Sequence, residues 1–331
     1  MLNALPDWVT GALARAASSG EDIAAALDIA AEVGARLPRP GAGRTVERWT
    51  TLAGLGRVNL TVARVVEAHT DALAILAEAG RTDDASETWG VFAAEAPGAR
   101  LTATQTAGGW VVNGVKPWCS LGAVLARALV TAHIDDGRQL FAIDLRHPGV
   151  RAEPAQEWVS RGLRTVTSVP IHCASVPAEP VGEPGWYLRR AGFAWGGLGV
   201  AACWYGGAAG LALTLMRTAA ERRGPLDALH VGTVDAALHA AATALLDAAR
   251  QVDAGQADAE TGVLLAHRVR AVVADAVDRV QRQVGHALGP TPLAFDADYA
   301  ARVADLQLYV RQHHAERDLA SLGELLLTER L

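Results

Sequence analysis

The run Gly108-Gly109-Trp110-Val111-Val112-Asn113-Gly114-Val115-Lys116-Pro117-Trp118-Cys119-Ser120 gathers an aromatic ring, a hydroxyl, a thiol and an ammonium group within a few residues. It reads as a turn, a strand, a second turn at Asn113-Gly114, and a short segment that sets a large aromatic beside a hydroxyl. Trp118 suits the wall of a site for a planar cofactor, and Ser120 can hydrogen-bond the edge of such a ring. Lys116 could neutralise an anion or simply solubilise the turn. Cys119 reads as a small core or pocket-wall residue, and with no base identified beside it no covalent role is assigned. Towards the other end of the chain, His313 and His314 stand just before Glu316. Adjacent helical side chains point about 100° apart, so the two imidazoles do not converge on one ion, and no metal site is expected.

The elements that must carry these groups divide into three segments. Residues 1–87 read as helical: one helix spans residues 22–37 and a second region spans residues 49–79, with Gly54 and Gly56 permitting close packing at its start. Residues 88–182 change period, with short β-branched and aromatic runs between Gly, Pro and Asp turns. Gly108-Gly109 marks a hairpin there. Several short strands without crossover helices predict an antiparallel, barrel-like unit. Residues 183–331 return to long alanine- and leucine-rich helical patterns, expected to pack as a bundle. The fold class is therefore α+β: N-terminal helices, a middle antiparallel β-barrel-like domain and a C-terminal helical bundle.

Composition narrows the partners. A formal charge of −6 without a basic stripe argues against nucleic acid. Three widely spaced cysteines, Cys119, Cys173 and Cys203, argue against a disulfide framework. No secretory signal pattern is seen, and the apolar stretch over residues 191–216 is read as a buried helix, so a cytoplasmic protein with no membrane partner is expected.

The run from Trp110 to Ser120 resembles the middle-domain segment of the acyl-CoA dehydrogenase superfamily, in which a glycine and a lysine precede an aromatic and a hydroxyl residue. The helix–β–helix order over residues 20–323 resembles it too, with the Gly162-Leu163-Arg164 turn, the Val176-Pro177 exit and the Gly224-Pro225-Leu226 turn in sequence. The resemblance implies an FAD site in which Trp118 stacks near the flavin and Cys119 and Ser120 lie at its reactive edge. It also implies that Arg223, beside Arg222, and Gly289, in the run from Gln283 to Thr291, meet the flavin phosphates across a subunit interface. A homodimer, or a homotetramer of two dimers, follows.

The chain departs from that pattern at four places. Ala94 stands where a hydroxyl usually contacts the flavin, Arg100 where an aspartate is expected, and His286 where a glycine is expected. Matching Arg302, Asp305 and Tyr309 to the preceding helix puts His313, followed by His314, at the position of the usual catalytic carboxylate. Three functions are consistent with these residues. One is an FAD-dependent dehydrogenase of an acyl-CoA or related acyl thioester, with Glu316 or another carboxylate as base and an electron-transfer partner. The second is a flavin-dependent monooxygenase using reduced flavin and oxygen, supplied by a flavin reductase, with His313 in the active region. The third is a cofactor-free binding or assembly homologue.

Overall fold

A computed structural model describes residues 5–82 and 87–328. The first segment holds α1 (Val9–Ser18), α2 (Ile23–Arg36), α3 (Thr45–Val58) and α4 (Leu60–Glu78). Asp22 caps α2 by accepting from the Ala24 and Ala25 N–H groups. The region expected as one helix over residues 49–79 is two. Asn59 adopts an extended conformation, its Oδ1 accepts from the Val62 N–H at 3.1 Å, and its Nδ2 donates to Ala16 O at 3.0 Å and Gly20 O at 2.7 Å. An amide side chain that serves the first turn of α4 and the carbonyls of Ala16 and Gly20 at once fixes the break between α3 and α4. Leu55 is a regular α3 residue, so apolar spacing alone ran through the break.

The middle segment holds β1 (Trp89–Phe92), β2 (Leu101–Thr106), β3 (Gly109–Lys116), β4 (Arg127–Ile134), β5 (Gly137–Asp144), β6 (Val150–Ala152) and β7 (Ile171–Val181). The strands run in the order β1-β4-β2-β3-β7-β5, β5 pairs back onto β4 to close the sheet, and β6 lies against β7. Most pairings are antiparallel as expected, and the β2–β3 hairpin turns at Ala107-Gly108. The β1–β4 pairing and the bridge between β2 and β4 are parallel. Asn113-Gly114 is not a turn but an irregularity inside β3, where the register against β7 shifts. The Asn113 Oδ1 accepts from the Ser175 N–H at 2.7 Å, which holds that bulge.

The third segment holds α5 (Trp186–Arg189), α6 (Ala191–Arg222), α7 (Pro225–Asp253), α8 (Thr261–Leu288), α9 (Thr291–Phe295), α10 (Ala297–Tyr309) and α11 (Glu316–Thr328). Helices α6 and α7 are each long and apolar enough to cross a membrane. The most apolar window of α6 is 89% buried inside the protein, as befits a central core helix, whereas that of α7 is 28% buried. Close approach of α3 and α6 requires glycine on both: a Cβ at Gly56 would overlap the Cys203 carbonyl, and one at Gly206 the Ala53 carbonyl. One continuous apolar core runs from α1 through the barrel to α10. The barrel is thus fused to the helices rather than tethered to them, and a site at their junction has rigid walls.

Candidate functional site

A cavity of about 540 Å³ opens where the barrel, α4 and the end of α10 meet. That volume lies within the range of small-molecule and cofactor sites. One wall is Trp118, which is 56% exposed and meets Trp158 edge to face with ring centroids 6.3 Å apart. The strand β1 and the loop after it contribute Val91, Ala93, Ala94 and Glu95, the loop before β7 contributes Leu163, Val166 and Ser168, and the end of α10 and its following turn contribute Tyr309, Arg311 and His314. Arg64 reaches in from α4.

Two loops are held by α10. Leu163 has φ 47° and donates its N–H to Asp305 Oδ1 at 2.6 Å. Its neighbour Gly162 packs so tightly on α10 that a Cβ would overlap the Ala304 carbonyl. Burial is the main cause that pushes the Asp305 carboxyl up to about 6. Arg302 donates to the carbonyls of Arg57 and Val58, which satisfies the exposed end of α3 just where the chain breaks at Asn59.

Polar groups in the cavity form two sets. In the first, Arg64 donates to Glu67 at 2.9 Å and to Ser120 Oγ at 3.3 Å, and Tyr309 O–H donates to Glu67 at 3.3 Å. Ser120 and Ser168 share a hydrogen bond of 2.8 Å, and Ser168 Oγ donates to Val166 O at 3.1 Å. With Ser168 spent on that carbonyl, Ser120 is the donor of the pair. Glu67 is 6% exposed. Burial, aided by Asp71 and opposed by Arg64 and the Tyr309 hydrogen bond, pushes its carboxyl up to about 7. In the second set the almost fully buried Lys116 donates to Glu95 at 2.7 Å and Thr131 at 2.8 Å, and His133 lies 3.4 Å from Glu95. Burial alone would raise Glu95, but hydrogen bonds from Lys116 and His133 hold it below the usual carboxylate range.

The residues singled out in the sequence separate accordingly. Trp118 and Ser120 share the cavity, and so does Ala94. Cys119 lies between them in sequence but is fully buried, its Sγ facing the Lys116 carbonyl at 3.2 Å, with its thiol pushed up by burial. His313 is 8% exposed and does not line the cavity, whereas His314 does. Burial is the main cause that lowers the His313 pKa, and its Nε2 has no hydrogen-bond partner. Glu316 opens α11, exposed and off the cavity. Arg223, in the left-handed conformation at the end of α6, lines a separate hollow with Gly224 and Asp227. Arg222 donates to the Ala287 carbonyl at 3.0 Å, so the ends of α6 and α8, bearing Arg223 and Gly289, lie together away from Trp118. Among the described residues no group of three or more His, Cys, Asp or Glu side chains could hold a metal ion.

Sequence reading missed Arg64, Glu67, Trp158 and Ser168. A signal was present for the first two: charged residues three apart on the largely apolar α4 have to be paired if buried.

No protein-family model and no curated protein matches the sequence. Solved structures do match its fold. FMN-bound TdsC from Paenibacillus sp. A11-2, described also as a dibenzothiophene monooxygenase, superposes with a TM-score of 0.82 at 16% identity, covering 98% of this chain and 97% of that one. Butyryl-CoA dehydrogenase from Megasphaera elsdenii gives 0.81 at 17% identity, covering 99% and 100%. The nitrososynthase from Micromonospora carbonacea var. africana gives 0.78 at 18% identity, covering 100% and 98%. The α+β architecture of this chain, with its closed barrel between two sets of helices, is the fold shared with these solved structures.

Proposed function

We propose that this chain is a flavin-dependent monooxygenase that oxidises a small, largely apolar ring substrate in the cavity beside Trp118. One observation carries the choice over dehydrogenation. Among the described residues the only carboxylate lining the cavity is Glu95, and it is committed to Lys116 and His133. Removing a proton beside a thioester needs a carboxylate within reach of the substrate, whereas oxygen transfer does not. The flavin proteins of this fold with FMN in their structures add support by likeness of fold alone.

The residues fit a flavin. Trp118 offers a wide open ring face, Ser120 and Ser168 offer hydroxyls, and Arg64 offers a fixed cation at the same wall. Ser120 already donates to Ser168, so contact with a ring edge requires its hydroxyl to rotate. A bound reduced flavin supplies two electrons to dioxygen, one oxygen atom going to the substrate and the other to water. His314 lines the cavity, and burial lowers the pKa of its neighbour His313. FMN, present in the TdsC structures, is the first flavin to test. FAD is the second, its phosphates meeting Arg223 and Gly289 of a second copy in a homodimer or homotetramer. A separate flavin reductase would supply the reduced form.

Acyl-thioester dehydrogenation stays as a second reading, because Glu67 stands behind Tyr309 with a carboxyl near 7, a value suited to a base. The two part in one experiment. The protein is mixed with FMN or FAD, freed of excess, and exposed to butyryl-CoA under argon. Retained visible absorption that the thioester leaves unchanged supports oxygen transfer; bleaching supports dehydrogenation. Failure to retain either flavin supports a cofactor-free binding homologue.

A further inference from the structure

We propose that Arg64, Glu67, Tyr309 and Ser120 form an anion subsite in the cavity wall whose charge is set by a single proton, and that it takes the negatively charged edge of a flat aromatic ligand. The inference goes beyond oxygen transfer and holds whichever reaction the cavity serves. Arg64 is buried between Glu67 on one side and Ser120 on the other, and its guanidinium lies 5.8 Å from the centre of the Tyr309 ring. Both Arg64 and Tyr309 face the cavity, while Glu67 does not. Glu67 therefore controls the field at the wall without touching a ligand. When Glu67 is ionised the pair is neutral; when it is protonated, the cavity faces one uncompensated guanidinium.

The surrounding groups decide the balance. Glu67 faces Arg64 and Asp71 on its own helix, Arg48 on α3, Tyr187 on α5, Cys203 on α6, Arg270 on α8 and Tyr309 on α10. Burial works to lower Arg64, the neighbouring Glu67 works to raise it and the net shift is upward, so the guanidinium keeps its charge. Burial is also the main force on Glu67, and it brings the carboxyl to about 7, where it changes charge under ordinary conditions. Arg311, the other arginine on the cavity, is paired with Asp278 at 2.7 Å, and Glu95, also on the wall, is paired with Lys116. His314, also on the wall, is paired with Asp318 at 3.3 Å, and the Arg64 pair is the buried part of the wall whose charge varies.

The test uses indole-3-carboxylate and its uncharged isostere indole-3-carboxamide, titrated calorimetrically into the full chain. If binding requires protonated Glu67, the carboxylate should bind about tenfold more weakly near pH 8 than near pH 6, since the competent fraction falls by about that factor. The carboxamide should show no such change. Glu67→Gln should bind the carboxylate equally at both values. Repeating the wild-type titration with saturating FMN separates two sources of the anion: competition assigns the subsite to the flavin ring and persistence assigns it to the substrate, and either supports the subsite. Equal pH dependence for the two indoles, or dependence kept in Glu67→Gln, overturns it. If Glu67→Gln does not fold, His314→Gln decides: the pH dependence of carboxylate binding should persist in it, and its loss there overturns the proposal.

Discussion

Asp305 accepts a hydrogen bond from the Leu163 N–H at 2.6 Å, and this one bond ties the last core helix, α10, to the barrel loop that forms a wall of the cavity. Leu163 sits at φ 47°, a conformation a leucine does not adopt unaided, so the bond helps hold a strained turn. Asp305→Ala should cost about 1–3 kcal/mol, since it leaves the buried N–H unpaired. Gly162→Ala, forced against the Ala304 carbonyl, should destabilise as well. Glu316→Ala, at an exposed helix start, should stay within about 0.5 kcal/mol. Urea unfolding of the three variants checks the order.

The stability contributed by Glu67 and Asp305 should fall as pH rises through the acid range, opposed by His313, whose pKa burial lowers. Folding raises Glu67 from its ordinary 4.5 to about 7, mainly through burial, and Asp305 from 3.8 to about 6 by the same cause. The folded protein therefore keeps protons that the unfolded chain has already released, so the stabilisation is complete below the unfolded values and lost as pH passes the folded ones. For Glu67 the loss is on the order of 3 kcal/mol at most, from its shift at about 1.4 kcal/mol per unit. Urea midpoints measured across this window should decline, and Glu67→Gln should flatten the upper part of the decline.

The sequence carried the barrel because its strands are short, β-branched and separated by Gly and Asp turns. It did not carry the break between α3 and α4, because Asn59 joins the Val62 N–H three residues on to two carbonyls, Ala16 and Gly20, that are distant in sequence. Asn113-Gly114 has the composition of a hairpin turn, yet the Asn113 side chain is used across strands by Ser175. Half of the site was legible: Trp118 and Ser120 belong to one local run. Arg64 and Glu67 were hidden in an apolar helix, and His313 and His314 could be distinguished only by which one the fold buries.

The three cysteines should be silent in the native protein. All are buried, and burial pushes each thiol up, Cys173 to about 11. A thiol that stays protonated at neutral pH reacts slowly. A disulfide reagent should find no fast-reacting thiol before denaturation and three after it.

Trp118→Ala should separate binding from folding. More than half exposed, Trp118 makes little of the core, so its loss should shift the unfolding midpoint only slightly. Removing a stacked ring should weaken FMN binding by up to about tenfold. Fluorescence titration of FMN into wild type and variant measures the difference.

Transfer of an oxygen atom from dioxygen to a ring substrate in the cavity beside Trp118 is the central claim, and isotopic labelling tests it most directly. The protein is supplied with chemically reduced FMN, oxygen-18 gas and a panel of fused-ring aromatics that includes indole, and the products are weighed by mass spectrometry. A product heavier by one oxygen-18 atom, formed in smaller amount by Trp118→Ala, is the predicted result. An unlabelled panel, together with bleaching of the bound flavin by butyryl-CoA under argon, would contradict it.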